Sequence, residues 1–258
     1  MKYGLCGGPE LGACASAAGF DYLEINVQKH LAPEQDEAAF APQRRQMAQS
    51  PVPVEAANCM IPGHLKICGP TVDRVRLKRY VETLCVRAER VGVRVIVFGS
   101  GGARAIPEGF DRREGWRQLV EFGRNVGGIA QRHGVTIAVE PLRRRECNIL
   151  NTVAEAAGYV REVAHPAIRL LVDSFHWGEE NESPQAIVEA GDLLSHVHVA
   201  TRSHRMAPGL EPHDFGPFFR ALKQVNYDGR VSIEATFNDL AAEAAASRRA
   251  LAEAVAAA

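Results

Sequence analysis

The feature that most constrains this chain is a repeated alternation of local preference. A short apolar or β-branched run is followed by a longer amphipathic or Ala-rich run, eight times in succession. The strand-type runs are 2–6, 21–25, 54–58, 93–98, 135–140, 168–173, 194–200 and 231–234. Helix-type stretches cover 10–18 (closed by Gly19), 35–49, 72–91 (stopped by Gly92), 114–133, 183–190 and 215–225, with a further helix behind Asn151-Thr152. Glycine just past a helix accepts the left-handed conformation that ends it. Thr152 with Glu155 one turn in is an N-terminal capping pattern. The Ala-rich stretch from Asp239 onward has high helix propensity and reads as a helix, not as a low-complexity tail.

Strands that are apolar almost throughout are buried on both faces, which is the environment of a parallel sheet covered by helices. Strand–helix alternation at this spacing predicts such a sheet. No linker or break in composition divides the 258 residues. The expected fold is therefore α/β, a single (β/α)8 TIM barrel over residues 1–258. A doubly wound open sheet would carry a phosphate-binding glycine fingerprint after its first strand. The stretch LCGGPEL at 5–11 lacks the third glycine, and Gly99–Gly102 is followed by no Gly-Lys-Ser/Thr.

The strand ends carry the chemistry. The run VTIAV at 135–139 leads to Glu140 and then Pro141. Burying a carboxylate inside a packed strand is unfavourable, whereas at the C-terminal end it can face a cleft. Pro141 cannot extend the ladder, so the strand stops there. The next three strands end alike, in Asp173, in or near His198, and in Glu234. One such residue alone reads equally well as a charged strand end in contact with water; four in succession do not. In a closed barrel, strand ends of one polarity converge on one mouth. Three carboxylates and an imidazole form a ligand set suited to one hard or borderline divalent ion, Mn2+, Mg2+ or Co2+, with Zn2+ also open. His196 and His198 alternate in HVHV and so face the same way, with His198 nearer the mouth. His176, three residues after Asp173, reads either as a loop histidine beside Trp177 or as a hydrogen-bonding group next to the metal.

Composition excludes other classes. A formal net charge of −1 leaves no global electrostatic footprint for nucleic acid. No apolar run reaches the length of a membrane span, and the apolar run at the N-terminus is too short for a signal peptide. The six cysteines form no CxxC pair, and they read as reduced thiols of a cytoplasmic protein.

At this point VEPLRRREC with NILNTVAEA, LLVDSFHW, HVHVA and YDGRVSIE resemble the xylose isomerase-like barrels. Within them the pattern resembles the ketose 3-epimerase (tagatose or psicose epimerase) and hydroxypyruvate isomerase branch. The resemblance is strongest from Val135 to Glu234 and looser over the rest. It implies that Glu140, Asp173, His198 and Glu234 bind the metal, and that Glu140 and Glu234 also act as the acid/base pair on opposite faces of a sugar. It implies that Glu146 holds the substrate's polar end and that His176 contacts the substrate. Arg205 matches a substrate-binding arginine, with Arg202 in competition because the loop TRSHRMAPG is one residue longer than the epimerase pattern. The expected partner is a small-molecule sugar, with no nucleic acid and no membrane; a homo-oligomer is compatible with the chain, which fixes no oligomeric state. The loops 58–64 and 98–104 depart from the epimerase pattern, which leaves the identity of the sugar open.

Such a site suits proton abstraction from a carbon next to a carbonyl. Transfer from one face to the other gives epimerisation, transfer between adjacent carbons gives aldose–ketose isomerisation, and protonation of a β-hydroxyl gives dehydration. A zinc-dependent abasic-site endonuclease of the same superfamily would need further histidines from the early strands. Strand four ends in FGSGG, and His64 lies several residues beyond strand three. A non-catalytic sugar-binding barrel would need no pair of acids.

Overall fold

All eight strand-type runs form strands, and they close into one parallel barrel in chain order, with the last pairing against the first. The computed structural model describes residues 1–258. The strands are β1 (Lys2–Cys6), β2 (Tyr22–Asn26), β3 (Val54–Asn58), β4 (Val95–Phe98), β5 (Thr136–Val139), β6 (Ile168–Asp173), β7 (Leu194–Val199) and β8 (Arg230–Ile233). The α-helices are α1 (Gly12–Ala18), α2 (Glu37–Ala48), α3 (Arg74–Val91), α4 (Gly101–Arg104), α5 (Arg112–Arg132), α6 (Val153–Val163), α7 (Ser174–Glu179), α8 (Pro184–Glu189), α9 (Gly216–Gln224) and α10 (Leu240–Ala257). No helix is long and apolar enough to cross a membrane.

Local chemistry sets the helix ends. Asp36, Asp73, Asp111, Thr152 and Asp239 each accept a bond from the backbone N–H three residues on, which satisfies one of the orphan donors of a first turn. The N–H of Asn151 in turn donates to the Glu155 carboxylate at 2.7 Å. Gly19 and Gly92 close α1 and α3 in the left-handed conformation, at φ 80° and 89°.

Side chains alternate across each strand, and the burial divides accordingly. Outward residues such as Leu23, Ile96, Val139, Val172, Val197 and Ile233 join one large core with the helices. A separate apolar cluster of only six residues, Tyr22, Ala56, Val95, Val97, Ala138 and Leu171, occupies inward positions. The remainder of the interior must therefore be filled by polar groups or small residues. Gly4 is one of these: a Cβ there would stand 2.3 Å from the Tyr22 ring.

Two differences from the sequence reading bear on the site. β5 and β8 end one residue before Glu140 and Glu234, yet both acids stay tied to the sheet: the N–H of Glu140 donates to Phe98 O at 3.1 Å and that of Glu234 to Val199 O at 3.2 Å. The stretch after Asp173 is the helix α7, not a loop. The Asp173 carboxylate caps it, Oδ1 accepting from the N–H of Phe175 at 2.9 Å.

Candidate active site

Glu140, Asp173, His198 and Glu234 come from β5, β6, β7 and β8 or the residue that follows, and all sit at inward positions at the C-terminal mouth. One donor atom from each lies within 4.8 Å of the others. His198 is central: its Nδ1 is 3.2 Å from Glu140 Oε1 and 3.4 Å from Glu234 Oε2. Asp173 spends Oδ1 on its helix cap, which leaves Oδ2 to face the mouth, 3.7 Å from His176 Nε2 and 3.5 Å from Arg205 Nη2.

The electrostatics follow from burial among like charges. Burial pushes the Asp173 carboxyl up to about 6, with Arg205 pulling it down and Glu234 pushing it up. Burial, with the charge of Glu234 behind it, also raises Glu140 above the ordinary carboxylate range, against the bond to His198. Burial raises Glu234 too, but His198 and Arg205 together outweigh it and hold this carboxyl below its ordinary value. The mouth thus concentrates three acids, two of them raised above the ordinary carboxylate range and one held below it.

Below these groups lies a buried polar layer. Glu24 of β2, fully enclosed, accepts from His198 Nε2 at 2.8 Å through Oε1 and from His196 Nε2 at 2.7 Å through Oε2. Ser232 Oγ donates to Oε2 at 2.7 Å and pairs with the Tyr22 hydroxyl. The sequence reading overlooked Glu24. The signal is an acid within the strand-type run DYLEI, at the parity that faces the barrel and not at a strand end.

The rim residues arrive from loops. Asn58, at the end of β3, donates from Nδ2 to Glu234 Oε1 at 3.2 Å. The Arg205 guanidinium bonds Glu234 Oε2 and stacks on the Phe175 ring at 4.7 Å. Arg202 instead reaches outward to Asn181 Oδ1 at 2.8 Å. His176, buried on α7, accepts from the N–H of Arg143 at Nδ1 (3.3 Å), so its proton sits on Nε2, toward Asp173. Glu146 lines the same mouth, with Oε1 bonded by Arg143 Nε at 2.7 Å. These groups surround a cavity of about 270 Å3 that also meets Gln28, Cys59 and the Gly99–Gly102 loop. Three non-glycine residues of the surround, Cys59, Ser100 and Arg205, have left-handed φ of 56°, 45° and 56°. Conformations of that kind cost of order 1–3 kcal/mol and cluster where a site must be shaped. Ser100 secures its turn by accepting the N–H of Ile61 at 2.9 Å, joining the β3 and β4 loops. His64 is half exposed and pairs with Glu34 at 2.8 Å; it does not line the cavity.

The donor set fits a divalent ion. Three carboxylates and one imidazole nitrogen converge, with Arg205 as the cationic group set between Asp173 and Glu234. Oxygen-rich sets of this kind suit Mg2+ or Mn2+ and admit other borderline ions.

Fold and site together define a (β/α)8 barrel with an acidic mouth. The chain belongs to the xylose isomerase-like TIM-barrel family, whose model matches residues 13–254. It is similar to an L-ribulose 3-epimerase of Methylomonas sp. (strain DH-1), 29% identical over 88% of this chain and 78% of that protein. It is also similar to a 3-dehydro-D-guloside 4-epimerase of Escherichia coli (strain K12), 36% identical over 47% of each, so the match spans less than half of that relative. A solved D-allulose 3-epimerase from Methylomonas sp. shares the fold, with a TM-score of 0.85 at 22% identity over 98% of both chains. The relatives are named epimerases, which are isomerase-class enzymes.

Proposed function

We propose that this protein is a divalent-metal-dependent sugar epimerase that inverts a hydroxyl-bearing carbon next to a ketone. The observation that carries the reading is the pair Glu140 and Glu234, which flank His198 Nδ1 at 3.2 and 3.4 Å at the floor of a polar cavity. The names of the relatives agree with it on one point: a 3-epimerase of a ketose and a 4-epimerase of a 3-keto sugar both invert the carbon adjacent to a carbonyl.

Glu140, Asp173, His198 and Glu234 hold the ion. Bound there, it would supply the positive charge that lowers the energy of an enediolate. The remaining work falls to the chain's own groups. One carboxylate of the pair removes the proton from the carbon on one face, and the other, protonated, returns one on the opposite face. Asn58 and Arg205 bond the two oxygens of Glu234 and aim its carboxylate. His176 presents its Nε2–H, and Arg205 and Glu146 add a donor and an acceptor for the sugar hydroxyls. Leu142 and Ile61, with Cys59, are the apolar part of the wall.

The test is turnover in heavy water with a panel of ketoses and 3-keto glycosides and Mn2+. Epimerised product should carry deuterium at the inverted carbon, and Glu140→Gln or Glu234→Gln should abolish turnover. Partial label is compatible with a shielded base. Complete epimerisation without deuterium at any carbon would refute the proton-transfer roles, because hydride transfer or carbon–carbon cleavage would then be required.

A further inference from the structure

We infer that Glu24 is a positioning residue that fixes the tautomer of His198, so that the imidazole offers Nδ1 to the cation. The role rests on the metal-dependent reading above.

The argument starts from an anomaly in β2. Glu24 lies between Leu23 and Ile25, one residue from either outward core position, and its own parity sends it into the barrel. An ionised carboxylate there can only accept hydrogen bonds. Three groups within hydrogen-bond distance must then donate to it: His198 Nε2 at 2.8 Å on Oε1, and His196 Nε2 and Ser232 Oγ, both at 2.7 Å, on Oε2. Both imidazoles must therefore carry hydrogen on Nε2. In a neutral ring that leaves the lone pair on Nδ1, and the Nδ1 of His198 is the nitrogen that faces Glu140 and Glu234.

His196 supports the same tautomer. Its Nδ1 is buried without a partner. With hydrogen on Nε2 the orphan is an acceptor; the other tautomer would bury an orphaned N–H, the rarer situation in folded proteins. The same saturation separates two groupings of ligand-type residues. Cys6, Glu24 and His198 also bring donor atoms within 4.8 Å of one another. A cation in that grouping would have to displace the hydrogen bonds that occupy both oxygens of Glu24 and the Nε2 of His198. Glu24 is thus the hydrogen-bonding partner behind the ligand, an arrangement that orients a metal-binding histidine and raises its basicity.

Glu24→Gln tests the assignment at nearly constant volume. An amide oxygen accepts but its NH2 donates; Oε2 meets two donors and Oε1 one, so the amide oxygen takes the side of His196 and Ser232, the NH2 confronts His198 Nε2, and His198 must change tautomer. Metal-stripped wild-type and E24Q protein are titrated calorimetrically with Mn2+, without substrate. The His198 ring nitrogens are followed by long-range 1H–15N NMR in metal-free and Mg2+-loaded protein. Tyr22→Phe, which removes only the far hydroxyl of the same network, serves as the control for general loosening. The expected result is a loss of about 10- to 100-fold in Mn2+ affinity for E24Q. Hydrogen should sit on Nε2 of His198 in loaded wild type, and Tyr22→Phe should melt lower with unchanged affinity. Wild-type affinity in E24Q, hydrogen on Nδ1 in loaded wild type, or an equal affinity loss in Tyr22→Phe would each overturn the role of Glu24 while leaving the metal site standing. Wild-type protein that takes up no Mn2+ would overturn the metal reading and this role with it.

Discussion

Replacing Gly99 with alanine should disable the site while leaving the fold intact. Val95 and Val97 of β4 point into the barrel, and Gly99 continues that parity. An added Cβ would stand 2.4 Å from Glu140 Oε2 and 3.5 Å from Leu142 Cδ2, and ordinary contact begins at 3.4 Å. The Leu142 contact is tolerable; the carboxylate contact is not. Glu140 must retreat by the difference between 2.4 and 3.4 Å, about 1 Å, and its Oε1 is already placed 3.2 Å from His198 Nδ1. A misplacement of about 1 Å in a reacting constellation costs on the order of 100-fold in rate, or about 2.7 kcal/mol of barrier. The backbone does not oppose the change, since Gly99 is not among the glycines with positive φ. Alanine at a compatible position even stabilises by about 0.4–1 kcal/mol through the unfolded chain. The assay is kcat/KM on an accepted ketose beside a thermal melt and a Mn2+ titration. The expected outcome is a fall of about two orders of magnitude in kcat/KM, with Tm held near wild type. Wild-type turnover in Gly99→Ala would refute the reasoning, because Glu140 would then have room to spare or no part in the chemistry.

Two further outcomes separate residues that look alike in the sequence. Arg205→Ala should lower kcat/KM on the ketose panel by about 10-fold or more, the value of at least one charge-assisted bond. Arg202→Ala, which loses a surface bond to Asn181 and an ion pair with Glu179 at 3.7 Å, should leave it unchanged; steady-state kinetics on both variants decides. Glu182 supplies a pH dependence of stability. Burial raises its carboxyl to about 7 from the ordinary 4.5, with the N–H of Val153 pulling down and Glu155 pushing up. The folded state therefore binds this proton more tightly than the unfolded chain, so the contribution of Glu182 to stability falls as pH rises from about 4.5 to about 7. Urea unfolding at pH 5 and pH 8 should show Glu182→Gln gaining on wild type at the higher pH. An equal difference at both values would mean that Glu182 ionises freely in the fold.

The alternation of strand and helix preference was legible in the sequence because each run is decided locally. Val, Ile and Leu runs of four to six residues are strands wherever helices cover both faces. Asp73 or Thr152 caps whatever helix follows it, and Gly92 ends one. The parity of His196 and His198 is likewise local, a consequence of the two-residue period. From these and the polarity of a parallel barrel, the sequence places Glu140, Asp173, His198 and Glu234 at one mouth. Short-range rules failed where the partner lies far along the chain. Glu24 reads as one of two acids in DYLEI, and it becomes the acceptor for two imidazoles only because barrel closure sets β2 across from β7, 172 and 174 residues away. Asn58 acquires Glu234 in the same way, across 176 residues. The choice between Arg202 and Arg205 also needed tertiary structure. The left-handed backbone at Arg205 and the Phe175 ring beneath it turn that side chain inward, while Arg202 is drawn out to α7 and the turn behind it. Propensity and periodicity fix what each segment becomes; which buried polar group answers which depends on closing the barrel, since only closure removes the water that would otherwise have satisfied them separately.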